Sequence, residues 1–108
     1  MVKYPFITCK MVGEDGNAFA CIGRVQEAMR SSKVISRDHI RQFRDEAMSG
    51  DFDDLLATCM ETVCCDPSDE EKEAADELLE NLKDKLIHED RQYFDPELDK
   101  EFLDVQTT

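Results

Sequence analysis

The apolar positions of this chain fall into short runs with two different periods. Over residues 4–12, Ile7, Cys9 and Met11 alternate with Phe6, Thr8 and Lys10, which is the period of a strand. Gly13, Glu14, Asp15 and Gly16 break that alternation, and Asn17 is placed to cap a helix. Phe19, Ile22, Val25, Ala28 and Met29 then recur at helical steps and predict a first helix with these side chains inward. Ser36 caps a second helix, with Ile40, Phe43 and Ala47 inward and Gly50 as its stop. A third helix opens near Asp51, with Phe52, Leu55, Leu56, Cys59, Met60 and Val63 on its apolar face. The expected fold is mostly α (α+β): one short N-terminal strand or hairpin, a three-helix core, and an acidic C-terminal helix.

That last helix starts after the turn Asp66-Pro67-Ser68. Ser68 and Glu71 have the spacing of a capping box, in which each side chain satisfies the other's free amide. Ala75, Leu79, Leu82 and Leu86 form an apolar stripe with Leu78 beside it, and Glu73, Asp76, Glu77, Glu80 and Asp84 occupy the opposite face. Asp95-Pro96 resembles one more helix start, with Leu98, Phe102 and Leu103 as its apolar side. Residues 1–65 are thus expected to form a small core domain and residues 66–108 an acidic helical extension.

Charge sharpens that division. The chain has 108 residues and a net charge of −13. Residues 1–65 carry 8 Lys+Arg and 10 Asp+Glu, whereas residues 66–108 carry 5 and 16, so the extension holds most of the negative charge. Such a surface argues against general binding to nucleic acid or to an anionic membrane, since both would repel it. The N-terminus lacks the pattern of a secretory signal, and no apolar run is long enough to span a bilayer. The 5 cysteines are odd in number and lie at apparently apolar positions, unlike a secreted disulfide framework. A reducing cytoplasm is the expected setting.

Candidate chemistry adds little. Cys64 and Cys65 are adjacent, no Cys-x-x-Cys occurs, and His39 and His88 lie far apart, so tetrahedral zinc spacing is missing. Cys9, Cys21 and Cys59 suit core positions, where a thiol acts as a small apolar group, while Cys64 or Cys65 is a candidate surface thiol open to oxidation. Asp51, Asp53 and Asp54 resemble the start of a calcium loop but lack its glycine and closing glutamate. The Gly13–Asn17 turn has no lysine after its second glycine, as a phosphate loop requires, and reads as structural. His39 sits in the opening turn of a helix, and neither Gly-x-Ser-x-Gly nor His-Glu-x-x-His occurs. No cofactor, no metal and no catalytic residue is expected.

The most informative local feature is Arg37, Arg41 and Arg44, which share one face of the second helix, with Arg24, Arg30 and Lys33 nearby in sequence. The bland alternative is a solvated face paired with Asp38, Asp45 or the acidic tail.

Two stretches carry a resemblance. Met11-Val12-Gly13-Glu14-Asp15-Gly16-Asn17-Ala18-Phe19-Ala20 is followed by Gly23-Arg24-Val25, and then by Ser49-Gly50-Asp51-Phe52-Asp53-Asp54-Leu55-Leu56-Ala57-Thr58-Cys59-Met60. In this order they resemble a family of small, functionally uncharacterised bacterial and bacteriophage proteins, over about residues 6–63. Phe52 stands where that pattern usually has Tyr, and Asp54 where it often has His. The resemblance implies a phage or mobile-element origin and brings no activity with it.

Two function classes follow. The first is a non-catalytic protein-interaction module that presents the arginine face, or the stripe Ala75, Leu78, Leu79, Leu82 and Leu86, to a protein partner or to a second copy as a homodimer. Docking of that stripe on the chain's own core is the competing arrangement. The second is an acidic nucleic-acid mimic, in which Glu73, Asp76, Glu77, Glu80 and Asp84 imitate a phosphate track and occupy the basic site of a host nuclease or other nucleic-acid-binding protein.

Overall fold

The computed structural model describes residues 2–11 and 18–99. The order of elements is β1 (Tyr4–Cys9), α1 (Ala18–Ser32), α2 (Arg37–Met48), α3 (Phe52–Thr62), β2 (Val63–Cys65) and α4 (Asp69–His88). The fold is mostly α with one small strand pair; the periodicities predict the four helices and the first strand. The Gly13–Asn17 turn, the Asn17 cap, Phe102 and Leu103 lie outside the described residues.

The strand has a partner that the sequence pattern did not reveal. Val63, read as the last apolar position of the third helix, opens β2, which lies parallel to β1 with Tyr4 opposite Val63 and Cys9 opposite Cys65. A parallel pair needs a long crossover, which α1, α2 and α3 supply, so β1 and β2 do not form a hairpin with each other. β1 ends at Cys9, and Lys10 and Met11 lie outside it. A register shift between Tyr4 and Thr8 interrupts the simple alternation, and Phe6 and Ile7 are both buried. β1 is covered by α4 and also packs on α1, which explains an apolar content too high for a half-exposed strand.

The helices form largely where their caps and faces place them. The His39 and Asp54 amides donate to Ser36 Oγ and Asp51 Oδ1, capping α2 and α3. Ser68 and Glu71 make the expected reciprocal capping box of α4. Ile40, Phe43 and Ala47 are buried on α2 as predicted. Gly50 does not end that helix through a left-handed residue; Ser49 is the cap, in helical conformation. Glycine is needed at position 50 for space, because a Cβ there would sit 2.5 Å from Asp54 Oδ2.

Four side chains expected inward point out. Phe19 is 70% exposed, Met60 63% and Leu98 77%, and Phe52 is exposed as well. On α3 the buried row is Leu55, Cys59 and Thr62, and Met60 is turned about 100° from it. Phe19 and Phe52 belong to the opening turns of their helices. The segment at Asp95-Pro96 makes a turn in which the Asp99 amide donates to the Asp95 carbonyl at 2.9 Å, and its inward residues are Phe94 and Asp99 rather than Leu98.

α4 lies against β1, with Ala75, Leu78, Leu82 and Leu86 buried and Leu79 partly buried. Leu78, Leu82 and Leu86 belong to the same apolar cluster as Phe6, Val25, Phe43 and Leu55, so the stripe docks on the chain's own core. After α4 the chain turns back. The Arg91 amide donates to the Leu86 carbonyl and the Asp90 amide to the Ile87 carbonyl, with Asp90 in the left-handed region at φ 59°, a Schellman closure. Phe94 then fills the core edge-on to Tyr4 and Phe6, with centroids 6.1 and 5.1 Å away. Its amide donates to the Val34 carbonyl at 2.7 Å and ties the segment after α4 to the α1–α2 connection.

Candidate functional site

The arginine face lines a groove. α1 and α2 pack side by side, joined by Lys33–Ser36, and Gln26 and Arg30 of α1 meet Arg37, Ile40, Arg41 and Arg44 of α2 around an open volume of about 340 Å³. The amphipathic pattern of α2 dictates this placement. Ile40, Phe43 and Ala47 turn to the core, which leaves positions 37, 41 and 44 along the flank beside α1. Arg30 pairs with Glu27 at 3.1 Å in an exposed contact of small energetic weight. Among the described residues Arg37, Arg41 and Arg44 form no ion pair, so the expected pairing with Asp38 or Asp45 is not made. Arg24, by contrast, is half-buried and lies near Cys9.

The acidic row has the complementary arrangement. Glu73, Asp76, Glu77, Glu80 and Asp84 are all exposed; Glu73, Glu77, Glu80 and Asp84 lie on the side of α4 away from β1, whereas Asp76 stands on its flank beside Phe6, Ile7 and Thr8. None of them forms an ion pair among the described residues. The capping box at the start of α4 and the Schellman closure at its end hold this helix as a firm support for the row. The leucine stripe behind it is covered within the chain and offers no free apolar face.

Three of the five thiols are core groups. Cys9, Cys21 and Cys59 are buried, and all 5 cysteines are free. Burial pushes the Cys59 thiol up to about 12, aided by the nearby Cys65, Cys21 and Cys9. Burial likewise raises Cys65 to about 11, and burial together with Glu71 raises Cys64. These shifts oppose thiolate formation, so the adjacent pair Cys64–Cys65 lacks the character of a reactive surface thiol. Among the described residues no three His, Cys, Asp or Glu side chains converge as metal ligands would. The Asp51 carboxylate is engaged in capping α3, accepting from the Asp54 amide.

Two features escaped the sequence pattern. The contributions of Gln26 and Arg30 to the arginine groove depend on how α1 lies against α2, which the short Lys33–Ser36 connection hints at but does not specify. A second, largely apolar groove of about 370 Å³ is lined by Phe19, Ile22, Met48, Phe52 and Leu55, among others. Phe19 and Phe52 read as core from their spacing, and only their helix-end positions mark them as rim residues. Among the described residues no helix is long and apolar enough to cross a membrane. No protein-family model, curated protein or solved structure matches the chain.

Proposed function

We propose that this chain is a small, non-catalytic protein-interaction module of phage or mobile-element type that takes an acidic protein surface into the α1–α2 arginine groove. The observation that carries this reading is the set Arg37, Arg41 and Arg44, unpaired and aligned beside Ile40, with Arg30 across the groove. Guanidinium groups bind carboxylates in a planar two-bond geometry, and their stems cover apolar surface at the same time. Arginine is accordingly enriched at protein interfaces. The free thiols support a reducing, cytoplasmic setting. The test is affinity capture from the native host with wild type and R37E/R41E/R44E as paired baits. Partners retained by wild type and lost by the folded variant support the reading, and an identical set of partners removes it.

A second reading rests on α4. Five exposed, unpaired carboxylates on a helix held at both ends support an acidic nucleic-acid mimic directed at a nuclease or another nucleic-acid-binding protein. Reversing Glu73, Glu77 and Glu80 to Lys should abolish inhibition of such a target. Equal inhibition by the variant would sink the idea.

A further inference from the structure

The arginine row and the carboxylate row share one spacing. Arg37, Arg41 and Arg44 step by four and three along α2, and Glu73, Glu77, Glu80 and Asp84 step by four, three and four along α4. At about 100° per residue, each row stays within a sector of about 60° on its helix. Within one chain the two rows do not pair. α2 packs chiefly on α1 and α3, whereas α4 lies on β1, and no ion pair links the rows.

We infer that the arginine row of one copy receives the α4 carboxylate row of a second copy, giving a head-to-tail contact between copies of this chain. The inference rests on the reading of the arginine groove as a surface for acidic protein, and it names the occupant. Aligned parallel, Arg37, Arg41 and Arg44 fall opposite Glu73, Glu77 and Glu80. The flanks then match as well. Asp38 and Asp45 stand about a quarter turn to one side of the arginine row, and Lys72 and Lys83, with Asp76 between them, stand up to about a quarter turn to the opposite side of the acidic row. In the parallel alignment Asp45 comes beside Lys83 and Asp38 stands between Lys72 and Asp76, whereas in the antiparallel one both lysines fall on the other side of the contact. Charge complementarity of this kind fixes register and orientation.

Because each copy carries both rows, the contact is heterologous and propagates from copy to copy. The net charge of −13 opposes association over long range. At physiological salt that repulsion is screened beyond about 8 Å, whereas the close pairs are screened less.

Sedimentation of the full chain at rising concentration in physiological salt is the direct test. Wild type is expected to form species larger than the monomer. R37E/R41E/R44E and E73K/E77K/E80K, all at exposed positions, are expected to sediment as folded monomers when alone. Mixed, they are expected to form a complex, since each supplies the row the other lacks, and high salt should dissolve it. Wild type that stays monomeric, with no complex on mixing, overturns the inference. If those results come with loss of a captured acidic protein from R37E/R41E/R44E, the interaction-module reading stands and only the second-copy occupant is wrong. If the capture experiment also shows no difference, both fail. An Arg37/Arg41/Arg44-dependent gel shift of duplex DNA without self-association also overturns the inference, by assigning the groove to phosphates.

Discussion

Asp99 meets Arg91 through two parallel hydrogen bonds, Nη1 to Oδ1 at 3.0 Å and Nη2 to Oδ2 at 2.7 Å. Lys85 Nζ adds a third at 2.7 Å from the last turn of α4. Asp99 is only 2% exposed, while its two cationic partners remain partly in water. The Asp95 amide donates to it as well, so both carboxylate oxygens are satisfied. This clasp holds the segment after α4 against the helix it has just left.

The clasp predicts an acid-sensitive contribution to stability. Burial alone would raise the Asp99 pKa, but the hydrogen bonds from Arg91 and Lys85 outweigh it and hold the carboxyl at about 2, against an ordinary 3.8. A depressed folded-state pKa stabilises the fold above the ordinary value, and that stabilisation is lost as pH falls through the folded one. Asp99→Asn should therefore cost about 1.5–3 kcal/mol at pH 7, the range for hydrogen bonds to charged groups. The gap between variant and wild type should narrow between about pH 4 and pH 2. Urea unfolding of both proteins across that range checks it. A gap that is constant with pH would remove Asp99 as the titrating group.

Phe94 is the apolar counterpart of the clasp. It is fully buried between Tyr4 and Phe6, and Phe94→Ala should cost about 3–5 kcal/mol, enough to unfold a marginal small domain. Tyr4→Phe should shift stability by less than about 1 kcal/mol, because the Tyr4 hydroxyl has no hydrogen-bond partner among the described residues. Denaturant midpoints for the two variants should differ sharply. Similar losses for both would mean that the ring stack does not carry the contact.

The leucine stripe tests whether the acidic helix belongs to the core. Leu82 is fully buried in the cluster that includes Phe6 and Val25, and Leu82→Ala should cost about 2–5 kcal/mol. Residues 1–65 alone would lose the cover over β1 and are expected to show no cooperative thermal transition. A sharp transition in that fragment would show that the core closes without α4.

What the sequence made legible was local, and what it hid was pairing over distance. Ser36, Asp51 and the Ser68–Glu71 box announced three helix starts, because a cap is decided within four residues. The α2 and α4 faces were legible for the same reason, their spacing being set by the helix itself. Val63–Cys65 was not, since three apolar residues continuing a helix pattern look the same whether or not they turn to meet a strand far upstream. Phe94 and Asp99 were equally silent: each draws its meaning from partners on other elements. Of the candidate site, the row Arg37, Arg41 and Arg44 was readable, but the groove it borders needed the α1–α2 packing.

Two helix ends carry backbone conformations that favour glycine. Lys33, just after α1, has φ 64°, and Asp90, just after α4, has φ 59°. A side chain with a Cβ costs about 1–2 kcal/mol in this region, least for Asn and Asp. Glycine removes that strain but loses more conformational entropy on folding. Lys33→Gly should thus raise stability by up to about 1 kcal/mol, and Asp90→Gly by less. Thermal midpoints that fall for Lys33→Gly would show that the lysine side chain makes a contribution larger than the strain it bears.

The thiols give the last prediction. Burial and mutual proximity place Cys59 near 12 and Cys65 near 11, and both Cys9 and Cys64 are raised. Only the thiolate attacks a disulfide reagent, so at pH 8 the native protein should react slowly, beginning at half-buried Cys64. Raising the pH should speed the reaction as the thiolate fraction grows. Denaturation should release all 5 thiols to rapid labelling. Titration with an aromatic disulfide, with and without denaturant, reads each of these. A fast native reaction at Cys64 or Cys65 would instead reveal an environment that stabilises the thiolate, contrary to the burial and the Glu71 carboxylate that surround Cys64.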